Sequence, residues 1–281
     1  MRTFVKACAA AVLAALAAVS SASAADESGL HALMTAHEAR GWEGVGRLNI
    51  GSGGMCTGAL IAPRIVLTAG HCLYDQFTKE TVDPTSITFL AGWRNGRASA
   101  YRGVRRAVIH PDYEYTGPSG PLRVSNDLAL LELDSDIRLA NVQPFGTGER
   151  PRKGAAVGVV SYAHDRAETL SLQEVCHVLA RQSGALVLSC EVDFGSSGAP
   201  IFAEVDGEPR IVSVVSAKAM VDGRKVSLGT DLERPLSDLM ALLQTGGAAL
   251  VQAAPAARRI TVGESGGAFG GGSGGAKFVR P

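Results

Sequence analysis

From Gly41 onward the chain is cut into short apolar runs, and that rhythm limits what it can fold into. The first six cover residues 45–50, 55–61, 65–68, 86–93, 101–110 and 128–133, with Gly, Pro, Asn and Asp turns between them. After a link near 141–152 a second series covers 157–162, 172–179, 185–192, 199–205, 210–217 and 225–228. Runs of strand length at regular spacing predict an all-β barrel or sandwich; the helical crossovers of a parallel sheet have no room here. Leu236, Leu239, Met240 and Leu243 break the pattern. Their spacing is helical and predicts a C-terminal helix.

With 281 residues the chain has the length for one two-lobed unit with a buried core, plus appendages. Its 27 Lys and Arg balance 27 Asp and Glu, so charge argues against nucleic acid or an acidic membrane as the main partner. Residues 1–25 have a basic start (Arg2, Lys6), an apolar run over 9–19 and the small residues Ala22-Ser23-Ala24. This is the pattern of a secretory signal peptide, too short and Ala-rich for a membrane span, although an uncleaved anchor is the other reading. No other stretch can span a bilayer. The expected location is secreted or periplasmic, without stable membrane insertion after cleavage. Residues 26–40 are polar and read as an N-terminal arm or pro-segment. Residues 246–281 are Ala-rich, then Gly-rich from Gly266 to Gly275, and predict a flexible tail.

Of the five cysteines, Cys8 leaves with the signal. Cys56, Cys72, Cys176 and Cys190 remain, an even number that predicts two disulfides in an exported chain, with three pairings open. Their spacing does not match a zinc site, and neither metal nor organic cofactor is expected.

The chemistry concentrates in Asp193-Phe194-Gly195-Ser196-Ser197-Gly198-Ala199-Pro200. Glycines around a serine permit a tight backbone path and close approach of another molecule. Alone, the segment reads first as a polar turn between strands, because small Gly/Ser loops are common. A serine there becomes a nucleophile only where a base and an orienting acid exist elsewhere. Thr68-Ala69-Gly70-His71-Cys72 ends an apolar strand with a histidine, and Asn126-Asp127-Leu128-Ala129-Leu130-Leu131 opens another with an acid. Singly, His71 reads as a satisfied buried histidine and Asp127 as a turn cap. Together, in the order His, Asp, Ser, the three stretches resemble the chymotrypsin/trypsin-like serine peptidases over roughly residues 42–243.

The resemblance implies two six-stranded β-barrels, over 41–142 and 143–245, with the C-terminal helix in the second span. It implies a triad of His71 as base, Asp127 as orienting acid and Ser197 as nucleophile, with the N–H groups of Gly195 and Ser197 as oxyanion hole. The register Gly-x-Ser-Gly-x-Pro selects Ser197 over Ser196. It further implies the pairings Cys56–Cys72 and Cys176–Cys190, each closing a loop of about 15 residues. Val108-Ile109-His110-Pro111-Asp112-Tyr113 is similar to the family's stretch ahead of its aspartate, which makes His110 a structural or surface residue and not a base. Protein or peptide substrates follow; oligomeric state does not.

One departure stands out. The family's aspartate before the nucleophile is Ser196 here, which cannot pair with a freed N-terminal amine, so trypsin-style zymogen activation is not expected. The small residue there is similar to the loop of bacterial glutamyl endopeptidases. On the specificity pocket, Glu191 lies where relatives carry the acid for basic substrates, and Ser216-Ala217-Lys218 reads as the opposite wall. Lys218 can then neutralise Glu191 or receive an acidic substrate; the other reading puts both on solvent-facing strand positions, and the specificity stays open. Two rivals are a non-catalytic binding protein of the same fold and an esterase with the same triad. The esterase lacks its strand–Gly-x-Ser-x-Gly–helix context.

Overall fold

A computed structural model describes residues 27–118, 120–221, 223–245 and 250–252. The signal peptide, Cys8 and nearly all of the expected tail lie outside the described residues.

Six strands close the first barrel: β2 (Val45–Ile50), β3 (Gly54–Ala62), β4 (Ile65–Thr68), β5 (Ile87–Ala91), β6 (Ala100–Ile109) and β7 (Ala129–Leu133). They pair antiparallel in the order β2-β3-β4-β7-β6-β5, and β5 returns to β2. The second barrel uses β8 (Ala156–Ser161), β9 (Ser171–Gln182), β10 (Ala185–Leu188), β11 (Pro200–Val205), β12 (Glu208–Val221) and β13 (Arg224–Asp231). Its order is β8-β9-β10-β13-β12-β11, closed by β11 on β8, so the two barrels share one topology. Closure gives every strand of each ring two neighbours.

The expected strands are these twelve, with differences at their ends. Gly92 takes φ +56 and ends β5 early, while Ser183 and Gly184, both left-handed, turn β9 into β10. β10 stops at Leu188 instead of running to 192, because the chain departs toward Cys190. The C-terminal helix α2 (Glu233–Thr245) crosses back to the first barrel and packs on β6 and β7, where Arg106 Nη2 donates to the carbonyl of Leu243 (3.0 Å). Three short elements have no periodicity of their own: β1 (His31–Ala32) on β9, α1 (Pro121–Ser125) before Asp127, and β14 (Leu250–Gln252) on β6.

The barrels meet through packed apolar side chains, which fixes their relative position. Trp42 and Phe145 close edge-on to Phe202 of β11, with ring centroids 5.0 and 4.8 Å from it. One core runs from Leu48, Phe89 and Leu130 in the first barrel through Tyr162, Ile211 and Val214 in the second. Disulfides join Cys56 to Cys72 and Cys176 to Cys190, with Cα separations of 6.3 and 5.0 Å. The second clamps β9 to the segment leaving β10. Replacing Cys176 and Cys190 together by serine should lower the unfolding free energy by about 3 kcal/mol. Denaturant titration of both proteins reads the difference.

Candidate active site

His71 stands on a single 3-10 turn, Gly70–Leu73, directly after β4, and Cys72 ties that turn to β3. Asp127 follows α1, whose Val124 carbonyl accepts its backbone N–H (3.2 Å). The carboxylate is 3% exposed and is met from three sides. Oδ1 accepts the backbone N–H of His71 (2.8 Å), and Oδ2 lies 2.7 Å from His71 Nδ1. Ser216 Oγ, from the second barrel, also donates to Oδ2. A buried carboxylate is tolerable only when so partnered.

This arrangement sets the histidine. Burial alone would push the His71 imidazolium down; the charge of Asp127 and its hydrogen bond more than offset that, and the net shift is upward. Arg123 opposes the rise. With Nδ1 held by the carboxylate, Nε2 is the ring nitrogen left for proton transfer. His71 lies close to the sulfurs of Cys56 and Cys72, but those sulfurs are bonded to each other and offer no thiolate to a metal.

Ser197 follows a tight turn in which the Ser196 N–H donates to the Asp193 carbonyl (2.9 Å) and Gly195 takes φ +96. The loop is pinned to the first barrel. Thr57 of β3 gives its N–H to the Ser197 carbonyl (2.8 Å) and its Oγ1 to the Gly195 carbonyl (2.9 Å). The Gly198 N–H donates to Val215 (2.8 Å). A Cβ on Gly198 would sit 2.1 Å from Thr68 Oγ1 and 2.3 Å from the Thr57 carbonyl, so the loop lies hard against the strand that delivers His71. The Phe194 carbonyl accepts the N–H of His164 (2.8 Å), and in a trans peptide the Gly195 N–H then points the opposite way. Among the described residues, neither the Gly195 nor the Ser197 N–H has a protein acceptor. Two adjacent free donors are the means by which a loop stabilises developing negative charge on an oxygen.

Ser196 is fully buried and uncharged, with its Oγ 3.2 Å from the Tyr162 carbonyl and 3.3 Å from Ser161 Oγ. Its hydroxyl is satisfied inside the second barrel.

Beside the loop lies a cavity of about 480 Å³, walled by Glu191–Asp193, Lys218–Met220 and Val226. Glu191 and Lys218 both line it, and no ion pair joins them. Lys218 Nζ instead binds Asp193 Oδ1 (2.8 Å) and lies 3.9 Å from the Phe194 ring centre, closing on the 193–198 loop. Ser216 is not among the residues lining this cavity. It sits where the pairing of β12 with β13 slips between Val215 and Ala217, and that bulge aims its hydroxyl at Asp127. Sequence reasoning missed this role, and it missed Thr57, whose only signal was its place beside Cys56. His110 is buried and its Nδ1 accepts the Asp112 N–H (3.3 Å), a structural position away from the loop.

A family model described as trypsin matches residues 35–220, more than half of the chain, and the chain belongs to that family. Among curated relatives, the glutamyl endopeptidase of Bacillus licheniformis is 28% identical over 154 residues, covering 53% of this chain and 45% of that protein. Granzyme M of Rattus norvegicus is 32% identical over 109 residues, 37% of each chain. The mouse complement C1r-B subcomponent is 33% identical over 86 residues, 29% of this chain and 12% of that one. The chain thus spans less than half the length of these relatives. In structure, a Glu endopeptidase solved in complex with MPD superposes with a TM-score of 0.62 at 17% identity, over 78% of this chain and 97% of that one. That likeness shows the fold.

Two measurements bear on this site. Gly198→Ala should cost at least about 3 kcal/mol, since a Cβ has no room and φ is +77; equilibrium unfolding reads it. By NMR titration His71 should lose its proton above the ordinary histidine value of about 6.5, and in Asp127→Asn below it, because burial is then unopposed. The raised value means that the charged pair stabilises the fold fully below the unfolded-state value, a contribution lost as pH rises through the folded one.

Proposed function

We propose that the chain is an exported serine endopeptidase, secreted or periplasmic, that hydrolyses peptide bonds through an acyl-enzyme. The observation that carries this reading is the buried Asp127 carboxylate bonded to His71 Nδ1, with the free N–H groups of Gly195 and Ser197 in a loop packed against the same strands. In this reading residues 1–25 direct export, 41–142 and 143–245 are the two barrel units, and 246–281 is an appendage.

The steps follow from the residues. Ser197 Oγ forms a bond to the substrate carbonyl carbon while His71 Nε2 takes its proton. The carbonyl oxygen, now negative, receives the Gly195 and Ser197 N–H donors, and each such donor contributes about 3 kcal/mol to the transition state. Asp127 stabilises the imidazolium, aided by Ser216. His71 then gives its proton to the leaving amine as the carbon–nitrogen bond breaks. Water repeats the sequence on the ester and frees Ser197. No metal or organic cofactor is invoked. Ser196, uncharged and satisfied at Tyr162, supports a loop held without an N-terminal ion pair.

A fluorophosphonate probe should label the exported protein at Ser197, and Ser197→Ala should abolish labelling. Ser197→Ala and His71→Ala should each reduce turnover roughly 10⁴-fold or more, because the triad acts as a unit. Labelling that survives in Ser197→Ala but not in Ser196→Ala would place the nucleophile one residue earlier. A protein that takes no probe in any form would instead be the non-catalytic binding relative.

A further inference from the structure

The wall of the cavity beside the loop is poorly held by the sheet. β10 ends at Leu188, and the last ladder-like bond is from the Ser189 N–H to His177 (3.0 Å). Beyond it, Cys190 is fixed by its disulfide, and the Glu191 N–H is received by one side chain, Gln173 Oε1 at 2.7 Å. Gln173 belongs to β9 and is 1% exposed. Its Nε2 donates to the carbonyl of Ser28 at 2.9 Å. A buried amide must satisfy both its ends, and this one does so by joining two segments far apart in sequence.

The Ser28 end is equally well built. Ser28 gives its N–H to the Val175 carbonyl (2.9 Å), and its Oγ accepts the Val175 N–H (2.8 Å). Just downstream, β1 pairs with Ser171 and Leu172, the Leu33 N–H donates to Leu170 (2.8 Å), and the Leu33 side chain is buried. Leu30, between them, lines the cavity itself. A segment that polar composition marks as an arm or a pro-segment is thus seated in the second barrel and bonded, through one amide, to the cavity wall.

We infer that Gln173 is a positioning residue that couples the seated arm to the Glu191 wall, so that residues 28–33 are a working part of the substrate-binding cavity and not a segment to be discarded. The inference rests on the peptidase reading above for its activity readout. The geometry separates two things. The loop with Ser197 is held by Thr57 and Val215, whereas the wall at Glu191 is held by Gln173. Loss of Gln173 therefore damages the binding of a side chain in the cavity more than the attack on a small ester.

The test compares wild type with Gln173→Leu in the full chain, using p-nitrophenyl acetate, whose acyl group does not fill the cavity, and unfolded casein. Expected is ester acylation within about twofold of wild type, with kcat/KM on casein lower by about tenfold or more, mostly through KM. Backbone hydrogen exchange over residues 189–193 should quicken. A second protein, with the export signal placed directly before Leu30, keeps β1 and Leu33 but lacks Ser28, and should show the same split with Gln173 intact; it decides the matter if Gln173→Leu does not fold. Unchanged casein activity, or equal loss on both substrates without faster exchange at 189–193, overturns the inference. A wild type inert toward both substrates refutes the peptidase reading instead, and the exchange comparison still decides whether Gln173 couples arm to wall.

Discussion

A single buried carboxylate holds this structure to its geometry. Asp127 cannot leave water without partners, and the four groups that satisfy it or its backbone come from both barrels. His71 and α1 belong to the first; Ser216 belongs to the second, and so does Thr230, whose Oγ1 donates to the Asp127 carbonyl (3.2 Å). Separating the barrels would strip the carboxylate of its Ser216 donor and leave His71 as its only side-chain partner. The aromatic contact of Trp42 and Phe145 with Phe202 supplies the apolar half of the same junction. Together they make the relative position of the barrels a condition of folding and not only of chemistry.

The loop before Ser197 shows the complementary device. Its backbone carbonyls and one N–H are bound to Thr57, His164 and Val215, while two N–H groups stay free. Leaving donors unpaired costs stability unless water or a ligand meets them. The glycines make the posture attainable. Gly195, at φ +96 with Ala163 2.9 Å from where its Cβ would be, and Gly198 have no substitute among the L-residues.

Much of this was legible in the chain, for identifiable reasons. Twelve strands announce themselves because each is a short, largely apolar run bounded by turn residues. His71, Asp127 and Ser197 stand in motifs whose neighbours set local backbone shape, which sequence carries well. What escaped depends on approach between distant segments. β1 has no propensity worth noting and becomes a strand only because β9 offers it an open edge. α1 spans five residues, too few for a period. The direction of Ser216 follows from a bulge, and the partner of Lys218 from which wall its long side chain happens to cross; neither leaves a trace in spacing. Gln173 looks like any polar residue in a strand until its two hydrogen bonds are seen.

The open edge of β9 has a counterpart. Each barrel contains strands that exchange neighbours part-way along; among them, β6 pairs with β5 over 100–103 and with β7 from Val104, and β9 pairs with β8 up to His177 and with β10 from Val178. Where the earlier or later neighbour is missing, a row of backbone donors and acceptors faces outward. β14 covers it on β6, and β1 on β9. These two strands lie outside the closed rings and pair backbone groups that an uncovered edge would offer to any other strand. The segments that look most dispensable therefore fill hydrogen-bonding positions that the rings themselves leave open.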